Sequence, residues 1–337
     1  MSRSRRVSLF LIPILLVIIV AFFGWRAWQS MNRPIHVVDD EAELFVRPDT
    51  PADSVVSHLA SVVEGGDVSG YHLYRRLQHL RGGDLSIRPG HYVVRTGDSM
   101  RALALRLSTG AQTPVRVVVS DGRSLTRLAA RLADQLMADS AAFMAVLPPE
   151  PEAFVLLVPN TYELWWTVTP EQFLERMRRE HDAYWNDDRK ARATALGLTP
   201  AEVVTLASIV DEEAARADEK PIVAGLYLNR LSRGMLLQAD PTVKYAVGDP
   251  TLRRILNVHL STPSPYNTYL NAGLPPAPIR LPSRQAVEAV LNPAHHNYLY
   301  MCAREDFSGY HNFATNLSAH NANAARYHAA LNARGVK

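Results

Sequence analysis

The chain has 337 residues, 47% of them hydrophobic and 20% charged, which suits about two globular domains and excludes a disordered tail. A single cysteine, Cys302, excludes an intrachain disulfide and any cysteine-based zinc or iron–sulfur cluster. Arg3, Arg5 and Arg6 account for the whole formal charge of +3; the neutral remainder speaks against nucleic acid as a partner.

Residues 7–25 read VSLFLIPILLVIIVAFFGW, with no charge among them. At 1.5 Å per residue this run spans roughly 28 Å, the hydrocarbon core of a bilayer. Pro13 is tolerable in such a span, and Trp25 and Trp28 suit its far interface. A cleaved signal peptide has a shorter apolar run, about 7–15 residues, and a small-x-small end. FFGWRAW offers no such site, so the better reading is an uncleaved single-pass anchor in the cytoplasmic (inner) membrane. The arginines before it favour a cytoplasmic tail over residues 1–6, although Arg26 and Arg33 dilute the asymmetry. Residues 26–40 then form a linker, and everything beyond lies on the outer, periplasmic side.

Three stretches next share one plan of β-rich run, polar turn, serine and amphipathic helix: residues 43–63, 91–108 and 115–136. Ser54, Ser99 and Ser124 are placed to cap the helices that follow. In the second stretch Tyr92, Val94, Gly97, Asp98, Ser99, Met100, Leu103 and Ala104 follow Y-x-V-x-x-G-D-S-[LM]-x-x-L-A. That pattern resembles LysM, a small module that binds N-acetylglucosamine-containing glycans, and a LysM-like module is expected over residues 41–112. The basic and apolar mixture of residues 71–88 has no account at this level.

Residues 113–337 read as a second, mixed domain, so the fold class expected is α+β. Helical patterns cover residues 170–185, 199–217, 221–232, 282–291 and 317–334. Between them, residues 236–250 and 262–282 read as long Pro-containing loops, a length more often functional than incidental.

One helix carries a misplaced charge. Thr199, Pro200 and Glu202 form a capping box that starts it, and the sequence continues VVTLASIVDEEAARA. On a helical wheel Val203, Ile209 and Val210 fall within about 60° of Leu206, and Glu213 within about 20°. Asp211 and Glu212 fall about 140° and 120° away. Glu213 therefore points where the helix buries its aliphatics. Either the helix ends there and Glu213 reaches water or Arg216, or it is a partly desolvated carboxyl with a raised pKa, fit for general acid work.

The following loops favour the second option. Asn229, Gln238, Asp240 and Thr242 precede Tyr266, Asn267, Thr268 and Tyr269, next to an LPP turn. Aromatic faces among amides and hydroxyls are what a sugar cleft needs, although each residue singly suits a turn. His295, His296, His311 and His320 lack metal-binding spacing and read as surface or loop histidines. Ser208 has no G-x-S-x-G elbow, and no phosphate loop occurs. No metal and no cofactor are expected.

Several long motifs now occur in order: ASIVDEEA, LYLNRLSRGMLLQADPTVKYAVG, PSPYNTYLNAGLPPAPI, LNPAHHNYLYM and HNFATNLSAHN. On these the chain resembles the endolytic murein transglycosylase family, also called YceG-like. The family pattern A-S-I-[IV]-E-K-E sets its catalytic glutamate on Glu213, the residue the wheel selects. Asp211 and Glu212 depart from the pattern, as does Asn160 in EAFVLLVPNTYELWW.

The resemblance implies non-hydrolytic cleavage of the β-1,4 bond between N-acetylmuramic acid and N-acetylglucosamine in peptidoglycan strands. Such a lyase leaves 1,6-anhydro ends and needs one carboxyl, because the substrate's own C6 hydroxyl is the nucleophile. Asn229, Gln238, Asp240, Tyr266, Asn267 and Thr268 are assigned to positioning sugars or the acid, with Thr242 and Tyr269 beside them. Asn316 is assigned to the cleft wall. Peptidoglycan synthases are the partners implied. A water-using muramidase, with Asp211 or Asp240 as base, and a non-catalytic glycan-binding scaffold are the alternatives.

Overall fold

The computed structural model describes residues 3–83, 85–249, 251–252 and 254–334. Side chains of residues 3–12, including the arginines used for orientation, lie outside the described set. The chain divides into two units. One comprises Met1–Arg116, Gln135–Met137 and Glu163–Val168; the other comprises Val117–Asp134, Ala138–Tyr162 and Thr169–Lys337. The two short returns to the first unit have no counterpart in a single boundary near residue 112.

The first unit begins with α1 (Arg3–Asn32), and Pro13–Asn32 is long and apolar enough to cross a membrane. Residues 26–32, expected as linker, are helical because no breaker interrupts them before Pro34. Next come β1 (Glu41–Val46), α2 (Ala52–Val62), one 3-10 turn, α3 (Ser69–Leu80), β2 (Gly90–Arg95) and α4 (Met100–Thr109). β1 and β2 pair antiparallel, with Leu44 opposite Tyr92. Their inner faces and the helices enclose Val46, Leu59, Tyr71, Tyr92, Val94 and Leu103.

Local chemistry explains the joints of this unit. Ser99 accepts the Ala102 amide at 3.2 Å and caps α4, after a turn in which Gly97 has φ +97°. Ser54 does not cap α2. Pro51, with φ −60°, opens that helix and leaves Ser54 inside it. The unaccounted stretch after residue 70 is α3, whose Tyr71 and Tyr74 enter the core. α3 packs against α1 at Gly70, where a Cβ would stand 2.0 Å from the Ser30 carbonyl oxygen. Only glycine allows that approach.

The chain continues through β3 (Val115–Val119), α5 (Leu125–Gln135), α6 (Ser140–Val146), α7 (Glu150–Leu156) and β4 (Asn160–Leu164), with β3 paired to β4. Ser124 caps α5, accepting the Arg127 amide at 3.3 Å. Then follow α8 (Pro170–Tyr184), α9 (Asp187–Ala195), α10 (Pro200–Glu213), α11 (Lys220–Ser232), α12 (Asp240–Val247), α13 (Asn257–Leu260) and α14 (Arg284–Leu291). The hairpin β5 (Tyr300–Ala303) and β6 (His311–Ala314) and the helix α15 (Leu317–Ala333) end the described chain. The architecture is mixed α+β.

α10 is the axis of the second core. Thr199 and Glu202 form the expected capping box, and every residue from Val203 to Val210 is buried. α14, α11, α7 and α12 pack around it. Residues 236–250, expected as a loop, contain α12: Asp240 and Pro241 suit a first turn, and Gly248 ends the helix at φ +71°. Residues 262–280 are irregular apart from turns, and Leu281 forms an isolated antiparallel bridge with Gly122.

Candidate functional site

The last residue of α10 is Glu213, and it opens onto a cavity of 280 Å³. Tyr227 and Arg230 reach this cavity from α11, Gln238 and Asp240 from the entry to α12, and Tyr269 from the irregular segment. Met301, Cys302, Ala303 and His311 of the β5–β6 hairpin close it. The wall is thus aromatic and polar.

The Tyr227 hydroxyl donates to Glu213 Oε1 at 3.1 Å. Burial dominates this carboxyl and pushes its pKa up to about 7, against the Tyr227 bond, which favours the charged form. The nearby carboxylates of Asp240 and Glu212 add to the rise. The carboxyl also sits at a helix C-terminus, where the backbone dipole disfavours negative charge. A group so poised is protonated in part near neutrality and can both give and take a proton.

Asp211 and Glu212 have other surroundings. The wheel puts them off the aliphatic face, yet their side chains are only 4% and 8% exposed, because cations rather than water cover them. Lys220 donates to Asp211 Oδ1, while the Ser283 amide and hydroxyl each donate at 2.9 Å. Burial raises the Asp211 pKa, but these bonds outweigh it and hold the carboxyl below its usual range. Glu212 accepts from Arg123 and, at 2.8 Å, from Arg280, which also donates to Asp121 at 2.6 Å. Arg216 does not pair with Glu213. It donates to the Ser308 carbonyl at 2.9 Å and stacks over Tyr310.

Of the residues singled out in the sequence, Glu213, Gln238, Asp240 and Tyr269 line one cavity. The Tyr269 hydroxyl donates to Asp240 Oδ1 at 2.7 Å. The others are occupied elsewhere. Asn229 donates to the carbonyls of His296 and Tyr298, and lies outside this cavity. Thr242 and Thr268 are buried and share a 2.8 Å hydrogen bond that ties α12 to the irregular segment. Buried Asn267 donates to the carbonyls of Leu260 and Thr262, 2.9 Å each. Tyr266 packs on the core, its ring 4.7 Å from that of Tyr245. Asn316 caps α15 by accepting the Ala319 amide at 2.9 Å.

Sequence reasoning missed Tyr227, Arg230 and His311. A signal existed for the first two, which stand three apart on α11 and so share a face. Buried Arg230 donates to the carbonyls of Leu236 and Leu237 and to Gln238 Oε1, and it bends this segment so that Gln238 takes φ +50°. His311 had been expected on a surface or loop. It lies instead in β6, where its amide and Nδ1 bond Glu219 at 2.8 and 2.9 Å and hold the hairpin to the cavity. Among the described residues no group of His, Cys, Asp and Glu is arranged to hold a metal ion.

Residues 44–326 match the YceG-like family, and the chain belongs to it. The endolytic murein transglycosylase of Bacillus subtilis is 28% identical over 320 residues, covering 86% of this chain and 87% of that protein. The protein of the same name from Streptococcus pneumoniae is 24% identical over 347 residues; the match covers 90% of this chain but only 62% of the pneumococcal protein. A YceG-like protein of Listeria monocytogenes, known from its crystal structure, shares the fold with a TM-score of 0.55. It is 24% identical, and the match covers 84% of this chain and 99% of that one.

Proposed function

We propose that this chain is a membrane-anchored endolytic lytic transglycosylase that cuts the MurNAc-β-1,4-GlcNAc bond of nascent peptidoglycan strands. The names of its relatives supply the substrate class, and one observation carries the chemistry: the Glu213 carboxyl, sunk beside Tyr227 with a raised pKa in a cavity walled by aromatic and polar groups. Glu213 in its acid form protonates the glycosidic oxygen, and the bond from that oxygen to the muramic C1 breaks. The C6 hydroxyl of the same sugar then attacks C1, and the Glu213 carboxylate takes its proton as the 1,6-anhydro ring closes. One residue serves as acid and base in turn, which suits a pKa of about 7.

Gln238, Asp240 and Tyr269 orient the sugars at this cavity, Asp240 being held by the Tyr269 hydroxyl. α1 serves as a single-pass anchor in the inner membrane with its N-terminus in the cytoplasm, which sets the second unit on the outer side, near peptidoglycan synthases. A LysM-like role in glycan contact is assigned to β2 and α4, whose turn carries the motif's glycine, aspartate and serine.

Hydrolysis is a second reading, and Asp240 favours it: a second carboxyl on the same cavity is what activation of water requires. Mass spectrometry of muropeptides separates the two. Incubation of the chain with uncrosslinked strands is expected to give ends lighter by one water, about 18 Da, than hydrolytic ends, with none from Glu213→Gln. Products at the hydrolytic mass would move the assignment to a muramidase, and an inactive wild type beside intact glycan binding would favour a scaffold.

A further inference from the structure

We infer that a second cavity, on the far side of the α10 terminus from Glu213, binds the carboxylates of the peptide that a muramic acid residue carries; this rests on the function proposed above. The cavity measures 560 Å³ and lies wholly within the second unit, between the start of α5, the end of α10 and α12. The same two partitions separate it from the Glu213 cavity. At the end of α10, Glu212 faces the second cavity and Glu213 the first; at the start of α12, Pro241 and Asp240 divide the same way. The two spaces are therefore no further apart than the width of a helix, about 10 Å. A strand whose sugars lie at Glu213 has its side groups within reach of the second cavity.

The charges there are unevenly engaged. Its acids are satisfied within the protein: Glu212 by Arg123 and Arg280, Glu150 by the Leu125 amide at 3.1 Å, and Asp249 by the amide and hydroxyl of Thr251. Among its cations, Arg123 is held by Glu212, and Arg131 donates to Ser120 Oγ at 2.5 Å. Arg127, exposed, and Lys244, half-buried, form no hydrogen bond or ion pair through their side chains with any described residue; Lys244 acts on Asp249 only at a distance. Two uncommitted cations line one concave wall from different helices, and Tyr245 belongs to the same lining.

That wall suits a ligand with two separated carboxylates and an organic body between them. In a peptidoglycan strand the N-acetylated sugars are neutral, whereas the peptide on the muramic lactyl group carries free carboxylates. Charge complementarity thus assigns the peptide, not the sugar backbone, to this cavity. The consequence is that strand recognition reads two chemistries at once, sugar hydroxyls at Glu213 and peptide carboxylates at Arg127 and Lys244.

The test measures binding apart from cleavage. Full-length Glu213→Gln protein in detergent is titrated with fluorescent, lipid-free, uncrosslinked strands, either peptide-bearing or stripped of peptide by an amidase, with the lactyl carboxylate that the amidase frees on each muramic acid then capped as its methylamide. The ratio of the two affinities is the readout. It is expected to be about tenfold or more in favour of peptide and to fall with added salt. Adding Arg127→Gln and Lys244→Gln should bring it close to one, and Lys244→Arg in place of Lys244→Gln should restore part of it. A ratio unchanged by removing both cations overturns the inference, as does a ratio near one before their removal. The wild-type chain is assayed alongside. Failure to cut either strand would overturn the proposed reaction, while the affinity ratio still decides for or against the peptide site.

Discussion

Three consecutive carboxyls end α10, and two sides of that helix terminus treat them in opposite ways. On one side Asp211 and Glu212 are clamped by Lys220, Arg280, Arg123 and Ser283 where almost no water reaches them, and these bonds hold the Asp211 carboxyl below its usual range. On the other side Glu213 accepts the Tyr227 hydroxyl and forms no ion pair with a described residue, and burial keeps its proton up to about pH 7. Residue type and helix position hardly differ among the three. Partners from α11 and from the segments before α5 and α14 make the difference, and this lets one carboxyl serve as an acid beside two that anchor the helix end.

The largest effect expected on this contrast is loss of the acid. Glu213→Gln should lower strand cleavage by about 10³-fold, a magnitude typical of a general acid, read from muropeptide release. The same change should stabilise the fold at high pH. The folded state binds a proton that the unfolded state releases above pH 4.5, so wild-type stability falls as pH rises from 4.5 to about 7. Denaturant melts at pH 8 should therefore favour Glu213→Gln by about 2–3 kcal/mol, with little difference at pH 4.

Breaking the clamp should act on stability in the opposite sense. Lys220→Ala leaves Asp211 buried with Ser283 and, at 3.8 Å, Arg280, and a loss of about 3 kcal/mol is expected at pH 7. In the wild type the Asp211 contribution is fully present above the unfolded pKa of 3.8 and is lost as pH falls through the lower folded value. The Lys220→Ala deficit should accordingly shrink in acid melts.

A smaller change sharpens the role of the one hydroxyl. Tyr227→Phe removes a bond to the charged form of Glu213, so the descending limb of the pH–rate profile should move upward by about one pH unit. A limb that moved downward would mean that Tyr227 supports the acid form. The smallest effect expected concerns a residue outside the site. Asn316→Ala should cost about 1 kcal/mol of stability through the α15 cap, with cleavage per folded molecule unchanged. A selective loss of cleavage would return Asn316 to the cleft.

Several of these features were legible before any tertiary structure. The capping box at Thr199, the helix it starts and the direction of Glu213 follow from short-range pattern, although α10 is buried on all sides from Val203 to Val210 and not along one stripe. Ser99 and Ser124 were readable as caps for the same local reason, whereas Ser54 was not, because Pro51 fixes the helix start three residues earlier. The polar residues between 229 and 269 were correctly noticed as dense but could not be sorted. Asn267, Thr242 and Thr268 stabilise buried turns, whereas Gln238, Asp240 and Tyr269 reach the cavity, and nothing in residue type distinguishes the two sets.

The sequence by itself determined a long apolar N-terminal helix, a mixed α+β chain, family membership through ordered motifs, and one acid on the buried face of a capped helix. Each of these depends on neighbours within a few residues or on a pattern of residue types. Only the tertiary structure decided which groups meet that acid. Tyr227 stands 14 residues from Glu213, His311 approaches from a hairpin far along the chain, and Arg280, bonded to Glu212, reaches Asp121 across 159 positions. Burial and charge are summed over neighbours in space, so the pKa of Glu213 and the uncommitted state of Arg127 and Lys244 exist only once the second unit has folded.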